Sequence, residues 1–167
     1  MMGAGKSTVG ALAAAALGWR FVDVDDEVER RRGASVAELF AAEGEAAFRR
    51  RESELIADCL AADGPAVIAA GGGAVLDPVN RARIAEAGTV VWLRAPAGVL
   101  AARVGEDPGR PLLAGAADAT AKLDALLRER APLYAAVASA VVDVEGRSAE
   151  DVAEEVVAVA RAAEAAP

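Results

Sequence analysis

The sequence predicts an α/β fold built on a parallel β-sheet that is flanked by helices. Short apolar runs alternate along the chain with longer segments of high helix propensity, and this alternation is typical of parallel sheets. The apolar runs carry few polar residues, as expected of strands that helices cover on both faces. With 167 residues, the chain is long enough for a sizeable core, and we expect a single domain over 1–167.

The first part of the chain predicts helix, strand and two further helices in that order. "KSTVGALAAAALG" has high helix propensity and ends at Gly18, a typical C-terminal glycine. "WRFVDVD" alternates apolar and polar residues and predicts a strand that ends in carboxylates. Ser35 and Glu38 have the spacing of a capping box, before a helix that ends at Gly44. Apolar residues recur at helical spacing in "EAAFRRRESELIADCLAA".

The second part predicts three more strand-and-helix units. "PAVIAA" is wholly apolar and stops at three glycines, which suits a buried parallel strand. Asp77 and Pro78 are typical of the cap and first position of a helix. Further helices fit "AGVLAARVG", "ATAKLDALLRERAPLY" and "SAEDVAEEVVAVARAAEAA". The four predicted strands lie at about 20–24, 66–70, 88–93 and 139–144. The irregular, Gly/Pro-rich segment at about 106–118 is expected to form a mobile lid.

Composition excludes several classes of function. The net charge of −8 argues against a nucleic-acid reader, because such proteins usually present a basic surface. The absence of histidine excludes a Ser-His-Asp triad and histidine-based metal sites. No run approaches the roughly 20 apolar residues that span a bilayer, so we expect a cytoplasmic protein without membrane contact. The single cysteine, Cys59, has helical spacing with Leu55 and Leu60 and is expected to be a buried structural thiol.

The opening "MMGAGKSTVG" contains most of a phosphate-binding Walker A motif, G-x-x-x-x-G-K-[ST]. In such a loop the glycines let main-chain N–H groups surround phosphate oxygens at the positive end of the next helix. Lys6 would reach the β- and γ-phosphates, and Ser7 would bind Mg²⁺. The alternative is a glycine-rich turn that caps a helix. Lysine occurs only at Lys6 and Lys122, with arginine at every other basic position, which favours the phosphate loop. The nucleotide-binding residues expected here are Gly3, Ala4, Gly5, Lys6, Ser7 and Thr8.

Three other polar or glycine-rich clusters point to ligand chemistry. Asp23 and Asp25 stand two apart at a predicted strand end, so we expect both carboxylates on one face, where they could hold magnesium and orient a hydroxyl. The alternative is a helix start decorated with acids, and we prefer it for Asp26. The glycines 71–73 suggest a substrate lying against the main chain. Arg110, in the predicted lid, is positioned to reach a phosphate on closure.

Taken together, these motifs resemble the shikimate kinase family of P-loop proteins. The resemblance rests on "MGAGKST", "FVDVDDEVE", "GEAAFRRRE", "AAGGGAV", "GRPLLAG" and "RAPLY", in the right order along the whole chain. It implies a P-loop NTPase three-layer sandwich with five parallel strands, of which four are visible here. It also implies transfer of the γ-phosphoryl of ATP, with Mg²⁺, to the 3-hydroxyl of shikimate on the route to chorismate and aromatic amino acids. The implied partners are shikimate and ATP, and we expect a monomer.

The resemblance also implies roles for individual residues. Lys6, Asp25 and Arg110 would be catalytic, and Ser7 and Asp23 would hold the metal. The expected substrate-binding residues are Asp25, Arg49, Gly71, Gly72, Gly73 and Arg130, with the two arginines gripping the substrate carboxylate. Beyond the phosphate loop, the nucleotide contacts would be Arg103, Arg110 and, on a looser match, Arg147.

Two other functions are compatible with the phosphate loop. A related small-molecule kinase such as gluconate kinase would share that loop, but would not be expected to combine it with the D-x-D, triple-glycine and R-x-P-L-Y motifs. A non-catalytic nucleotide-binding or regulatory domain of the same fold is the second alternative.

The sequence departs from the family pattern at its start. The first Walker A glycine and the strand that precedes it in the family would both lie before Met1. In the buried middle of a sheet, each main-chain group left unpaired costs about 1–3 kcal/mol. We therefore expect a native start upstream, and we expect a protein that begins at this Met1 to fold weakly and to bind ATP poorly.

Overall fold

In the computed structural model, residues 1–105 and 118–165 are described, and they form alternating helices and short parallel strands. The first half contains helix α1 (Lys6–Leu17), strand β1 (Arg20–Asp23), helices α2 (Val24–Arg32), α3 (Val36–Glu43) and α4 (Glu45–Ala61), and strand β2 (Ala66–Ala69). A 3-10 turn (Ala74–Leu76) then leads to α5 (Pro78–Ala87), β3 (Val91–Arg94), α6 (Ala97–Val104), α7 (Ala119–Val137), β4 (Ala140–Asp143) and α8 (Ala149–Glu164). The α/β prediction is confirmed, and all four predicted strands are present, the third beginning at Val91 rather than at about 88.

Helix boundaries follow from the capping chemistry that the sequence predicted. The side chain of Ser35 accepts the N–H of Glu38, whose carboxylate returns to the N–H of Ser35, so the capping box is present. Asp77 caps α5 by accepting the N–H of Val79 at 2.7 Å. The prediction of a lid at about 106–118 falls almost entirely outside the described residues.

The strands form two parallel pairs rather than one continuous sheet. β1 pairs with β2 and β3 pairs with β4, with Arg20 opposite Ala66 and Val91 opposite Ala140. β2 and β3 do not pair with each other, and a cavity of about 590 Å³ is lined by both.

Two separate hydrophobic cores are present among the described residues, because apolar residues gather around each pair of strands. One includes Phe48, Leu55, Ile56 and Cys59; the other includes Val9, Leu93, Leu100, Leu123 and Val142.

Candidate active site

The predicted phosphate loop leads directly into the first turn of α1. Gly5 has φ of +84° and immediately precedes the helix, which carries no side-chain cap. The first main-chain amides of α1 and the positive end of its dipole are therefore available to an anion bound at the loop. Gly3 has φ of +74°, and a Cβ added there would stand 2.7 Å from the carbonyl oxygen of Leu100. Glycine is therefore required at position 3 on two independent grounds.

Hydroxyl and carboxylate oxygens meet beside this helix start. Ser7 Oγ donates to Asp23 Oδ2 at 2.6 Å, which joins α1 to the end of β1. Lys6 Nζ donates to the carbonyl oxygen of Met1 at 3.1 Å, so the lysine folds back over the loop. The two predicted metal residues are thus brought together, and hard oxygen donors of this kind are those that Mg²⁺ prefers. Mg²⁺ usually takes few protein ligands, keeping waters and substrate phosphates as the rest, and the Ser7–Asp23 pair fits that pattern.

The structure corrects the geometry that was predicted for the two aspartates. β1 ends at Asp23, and α2 begins at Val24, so the alternation of a strand does not extend to Asp25. Asp23 caps α2 by accepting the N–H of Asp25 at 3.0 Å. The two carboxylates therefore face different partners: that of Asp23 faces Ser7, and that of Asp25 lies beside Gly71. The prediction that Asp26 belongs to a helix start is confirmed, since it lies in the first turn of α2.

The three glycines form a surface around which the remaining polar groups converge. A Cβ on Gly71 would overlap Glu52 Oε1 and stand 2.9 Å from Asp25 Oδ1. A Cβ on Gly73 would overlap the guanidinium of Arg49. All three glycines have neighbours at the Cβ position, so each is needed to let side chains of α2, α4 and α7 close on one loop.

Arg49, on α4, is held by two carboxylates and by two aromatic rings. Its guanidinium donates to Glu52 Oε2 at 2.7 Å and to Glu45 Oε1 at 3.1 Å, and it lies over the rings of Phe40 and Phe48. These contacts fix the plane of the guanidinium before any ligand is bound.

Arg130 reaches the same loop from α7. It is 3% exposed, and its Nη1 donates to the carbonyl oxygen of Gly72 at 3.2 Å. Its Nε is buried and has no hydrogen-bond partner within the described ranges. Such an unsatisfied donor on a buried cation is an unfavourable arrangement that an anionic ligand would relieve.

Two residues of the site were not singled out from the sequence. Tyr134 Oη donates to the same Gly72 carbonyl at 2.5 Å, and burial raises its pKa to about 12, so it remains a neutral donor. Glu52 is 1% exposed and leaves Oε1 unpaired in the described part of the chain. Burial, partly offset by Arg49, raises the pKa of Glu52. Its i,i+3 spacing from Arg49 was the available sequence signal.

The arginines that were predicted to contact the nucleotide do not converge on one loop as Arg49 and Arg130 do. Arg103, in the last turn of α6, donates to the carbonyl oxygen of Val144 at 2.8 Å. Arg147 pairs with Glu155 at 2.5 Å and donates to the main chain of Asp151. Both of these predicted nucleotide contacts lie at the carboxyl end of β4, but each is already engaged by protein groups. Arg110 lies outside the described residues.

The buried position of Glu52 leads to a pH prediction. Because its folded-state pKa is raised, it favours the native state below about pH 4.5, and this stability is lost as pH rises through the folded pKa. The free energy of unfolding of the parent protein, minus that of Glu52→Gln, should therefore fall with rising pH, by up to about 1.4 kcal/mol per pH unit within that window.

Urea unfolding of the two proteins between pH 4 and 8 measures this difference. Glu54→Gln is the matched control, since Glu54 is exposed on the same helix. A pH-independent difference between the parent and Glu52→Gln would contradict the prediction.

Known proteins are similar to this chain in both sequence and overall fold. A model of the shikimate kinase family matches residues 2–161. Shikimate kinase of Aromatoleum aromaticum is 50% identical over 86% of this chain and 81% of its own length. That of Halorhodospira halophila is 46% identical over 93% of this chain and 87% of its own. The structure of shikimate kinase from Acinetobacter baumannii in complex with shikimate has a TM-score of 0.93 at 36% identity, covering 99% of this chain and 91% of that chain. The matched range, 2–161, spans the positions of all the candidate site residues.

Proposed function

The chain belongs to the shikimate kinase family, and from this premise we propose which of its residues carry out the reaction. The activity is ATP-dependent phosphorylation of the 3-hydroxyl of shikimate to give shikimate 3-phosphate, on the route to chorismate and aromatic amino acids. The enzyme is a phosphotransferase that uses ATP with Mg²⁺.

The phosphate loop and α1 bind the triphosphate. Main-chain amides from Gly3 to Thr8 surround the phosphate oxygens at the positive end of the helix. Lys6 leaves its contact with the carbonyl of Met1 and neutralises charge on the transferred phosphoryl group. Arg103 and Arg147 contact the nucleotide after exchanging their present partners, and Arg110 adds positive charge to the phosphates.

Ser7 and Asp23 would hold the magnesium ion, which would neutralise phosphate charge when bound. The 2.6 Å contact between the two side chains supports this assignment, because it places both oxygens at one point beside the loop.

Shikimate lies against the three glycines. Arg49 and Arg130 grip its carboxylate, and Asp25 accepts a hydrogen bond from the 3-hydroxyl and later its proton. Little early proton removal is needed in a loose phosphoryl-transfer transition state, so Asp25 need not be a strong base; it orients the hydroxyl and takes up its proton late in the reaction. The convergence of Arg49, Arg130 and Asp25 on the glycines 71–73 is the observation that carries this proposal.

A coupled assay of ADP release tests the substrate assignment. Release should depend on shikimate and should not be supported by gluconate at equal concentration. Equal or greater activity with gluconate would refute the assignment, and nucleotide binding without any acceptor-dependent ADP release would favour a non-catalytic domain.

The role of Arg130 leads to a second prediction. Arg130→Lys keeps the charge but loses the planar pair of donors, so the KM for shikimate should rise about 10- to 100-fold with a smaller change in KM for ATP. Arg128→Lys on the same helix is the control, because Arg128 is 81% exposed at its side chain and pairs with Asp124. A rise in KM for ATP alone would assign Arg130 to the nucleotide instead.

We also propose a cytoplasmic monomer that binds neither nucleic acid nor membrane. Use of ATP supports the cytoplasmic location, and the net charge of −8 argues against binding to polyanions. Every proposed site residue comes from one chain, which supports the monomer. Among the described residues, no helix is long and apolar enough to cross a membrane. Light scattering coupled to size-exclusion chromatography tests the oligomeric state.

A further inference from the structure

One main-chain carbonyl, that of Gly72, receives two side-chain donors from α7. Tyr134 Oη donates to it at 2.5 Å, and Arg130 Nη1 donates to it at 3.2 Å. The two donors are four residues apart, so they lie on one face of the helix, one turn apart. Both residues are buried. The helix is therefore tied to the glycines 71–73 at a single oxygen, and both hydrogen bonds are shielded from water.

The tyrosine makes the closer of the two contacts with this carbonyl. A distance of 2.5 Å lies at the short end of the range for O–H···O hydrogen bonds, whereas 3.2 Å lies at the long end for N–H···O. The ring of Tyr134 packs against that of Trp92, with 5.4 Å between the ring centroids, and this contact limits where the hydroxyl can point. Tyr134 therefore fixes the position of the Gly72 carbonyl more firmly than Arg130 does.

The carbonyl in turn orients the guanidinium of Arg130. A guanidinium is planar, and a carboxylate can bind it along an edge through two parallel N–H groups. Nη1 is engaged by Gly72, while Nε is buried and has no hydrogen-bond partner in the part of the chain that the structure describes. The edge that includes Nε is therefore the one left for an anion, and the contact at Nη1 sets the direction in which that edge faces.

We propose that Tyr134 is a positioning residue for shikimate: it holds the Gly72 carbonyl, which holds Arg130 with its Nε edge open to the substrate carboxylate. The inference rests on the proposed function, because it takes Arg130 as a ligand of that carboxylate. It adds that the Tyr134 hydroxyl sets the affinity for shikimate without touching it. Packing of the ring alone would be a different role, and removal of the hydroxyl separates the two.

Tyr134→Phe provides the test, because it removes one oxygen and keeps the ring against Trp92. The Kd of shikimate, measured by titration calorimetry on the full 167-residue protein, should rise about 5- to 50-fold, and the KM for shikimate should rise with it. The KM for ATP should change less than twofold, since the carbonyl faces the acceptor site. An unchanged Kd in folded Tyr134→Phe, or an equal rise in both KM values, would overturn the proposal.

Leu126→Val controls for a loss of stability alone. Leu126 is buried on the same helix, and its side chain cannot donate a hydrogen bond to Gly72. The shorter side chain should lower Tm but leave the Kd of shikimate within about twofold of the parent value. Thermal unfolding of both variants puts their stabilities on one scale. A rise in Kd with Leu126→Val as large as that with Tyr134→Phe would attribute the effect to general loosening of α7 and refute the positioning role.

A double-mutant cycle tests whether Tyr134 acts through Arg130. Arg130→Lys has no planar edge to orient, so adding Tyr134→Phe to it should raise the KM for shikimate less than twofold further. Fully additive effects would show that the tyrosine acts by another route and would refute the proposal. If Arg130→Lys alone leaves this KM unchanged, the assignment of Arg130 to the carboxylate fails, and this inference with it. A rise with Arg130→Lys but none with Tyr134→Phe refutes only the positioning role.

Discussion

Replacing Lys6 by alanine is expected to lower shikimate-dependent kcat/KM by about 10³-fold. The lysine stands at the first position of α1, where the amides of the loop and the helix dipole already favour phosphate, and it adds the positive charge of its side chain. Charge neutralisation by such groups is the main source of catalysis in phosphoryl transfer. Because the charge on the phosphoryl group is redistributed in the transition state, kcat should fall as well as the affinity for ATP.

Steady-state kinetics of ADP release measure this effect, with Lys122→Ala as the control. Lys122 is the only other lysine and is exposed on α7, so its removal should leave kcat/KM within about twofold. Lys6 also contacts the carbonyl of Met1, so thermal unfolding of both variants separates loss of catalysis from loss of fold. Comparable activities of the two folded variants would remove Lys6 from the catalytic machinery.

Local features of the fold could be predicted because they depend on neighbours in sequence. The capping box at Ser35 and the cap at Asp77 involve groups two or three residues apart, and the strands were visible as apolar runs. The family motifs also brought Arg49, Arg130 and the glycines 71–73 into one predicted site, and the structure places them around one loop.

What the sequence could not supply depends on contacts between distant segments. The prediction that Asp23 and Asp25 share one strand face was wrong because β1 ends at Asp23, which caps α2, so the helix begins earlier than the alternation assumed. Tyr134 was missed because its partner, the Gly72 carbonyl, is 62 residues away. The cavity between β2 and β3 likewise depends on which strand edges meet, and an apolar run does not specify its neighbour.

The site also shows why several glycines and buried charges occur together. Gly71 allows Glu52 and Asp25 to approach the same point, and the resulting proximity of two carboxylates helps to raise the pKa of Glu52. Glu52 in turn holds Arg49, so the guanidinium that we propose to bind the substrate carboxylate is positioned by a group that does not itself need to touch shikimate. Larger residues at these glycines would displace charged groups, with loss of stability as well as of binding.

Replacing Asp25 by asparagine is expected to lower kcat by about 10²- to 10⁴-fold while changing the KM for ATP little. Asparagine keeps the size of the side chain and can hydrogen-bond a hydroxyl, but it cannot accept the proton that the 3-hydroxyl must lose. Asp25 lies beside Gly71, at the loop where Arg49 and Arg130 converge, so the effect should be confined to the acceptor side of the reaction.

Asp26→Asn is the matched control, because Asp26 occupies the same helical turn and is exposed. It should retain kcat within about twofold, since surface changes of this kind have small effects. Asp25→Asn should still keep more activity than Asp25→Ala, because only the amide can bind and orient the hydroxyl. Equal kinetics for Asp25→Asn and Asp26→Asn would show that the carboxylate of Asp25 does not act on the hydroxyl. Another residue near the glycines 71–73 would then have to orient the hydroxyl.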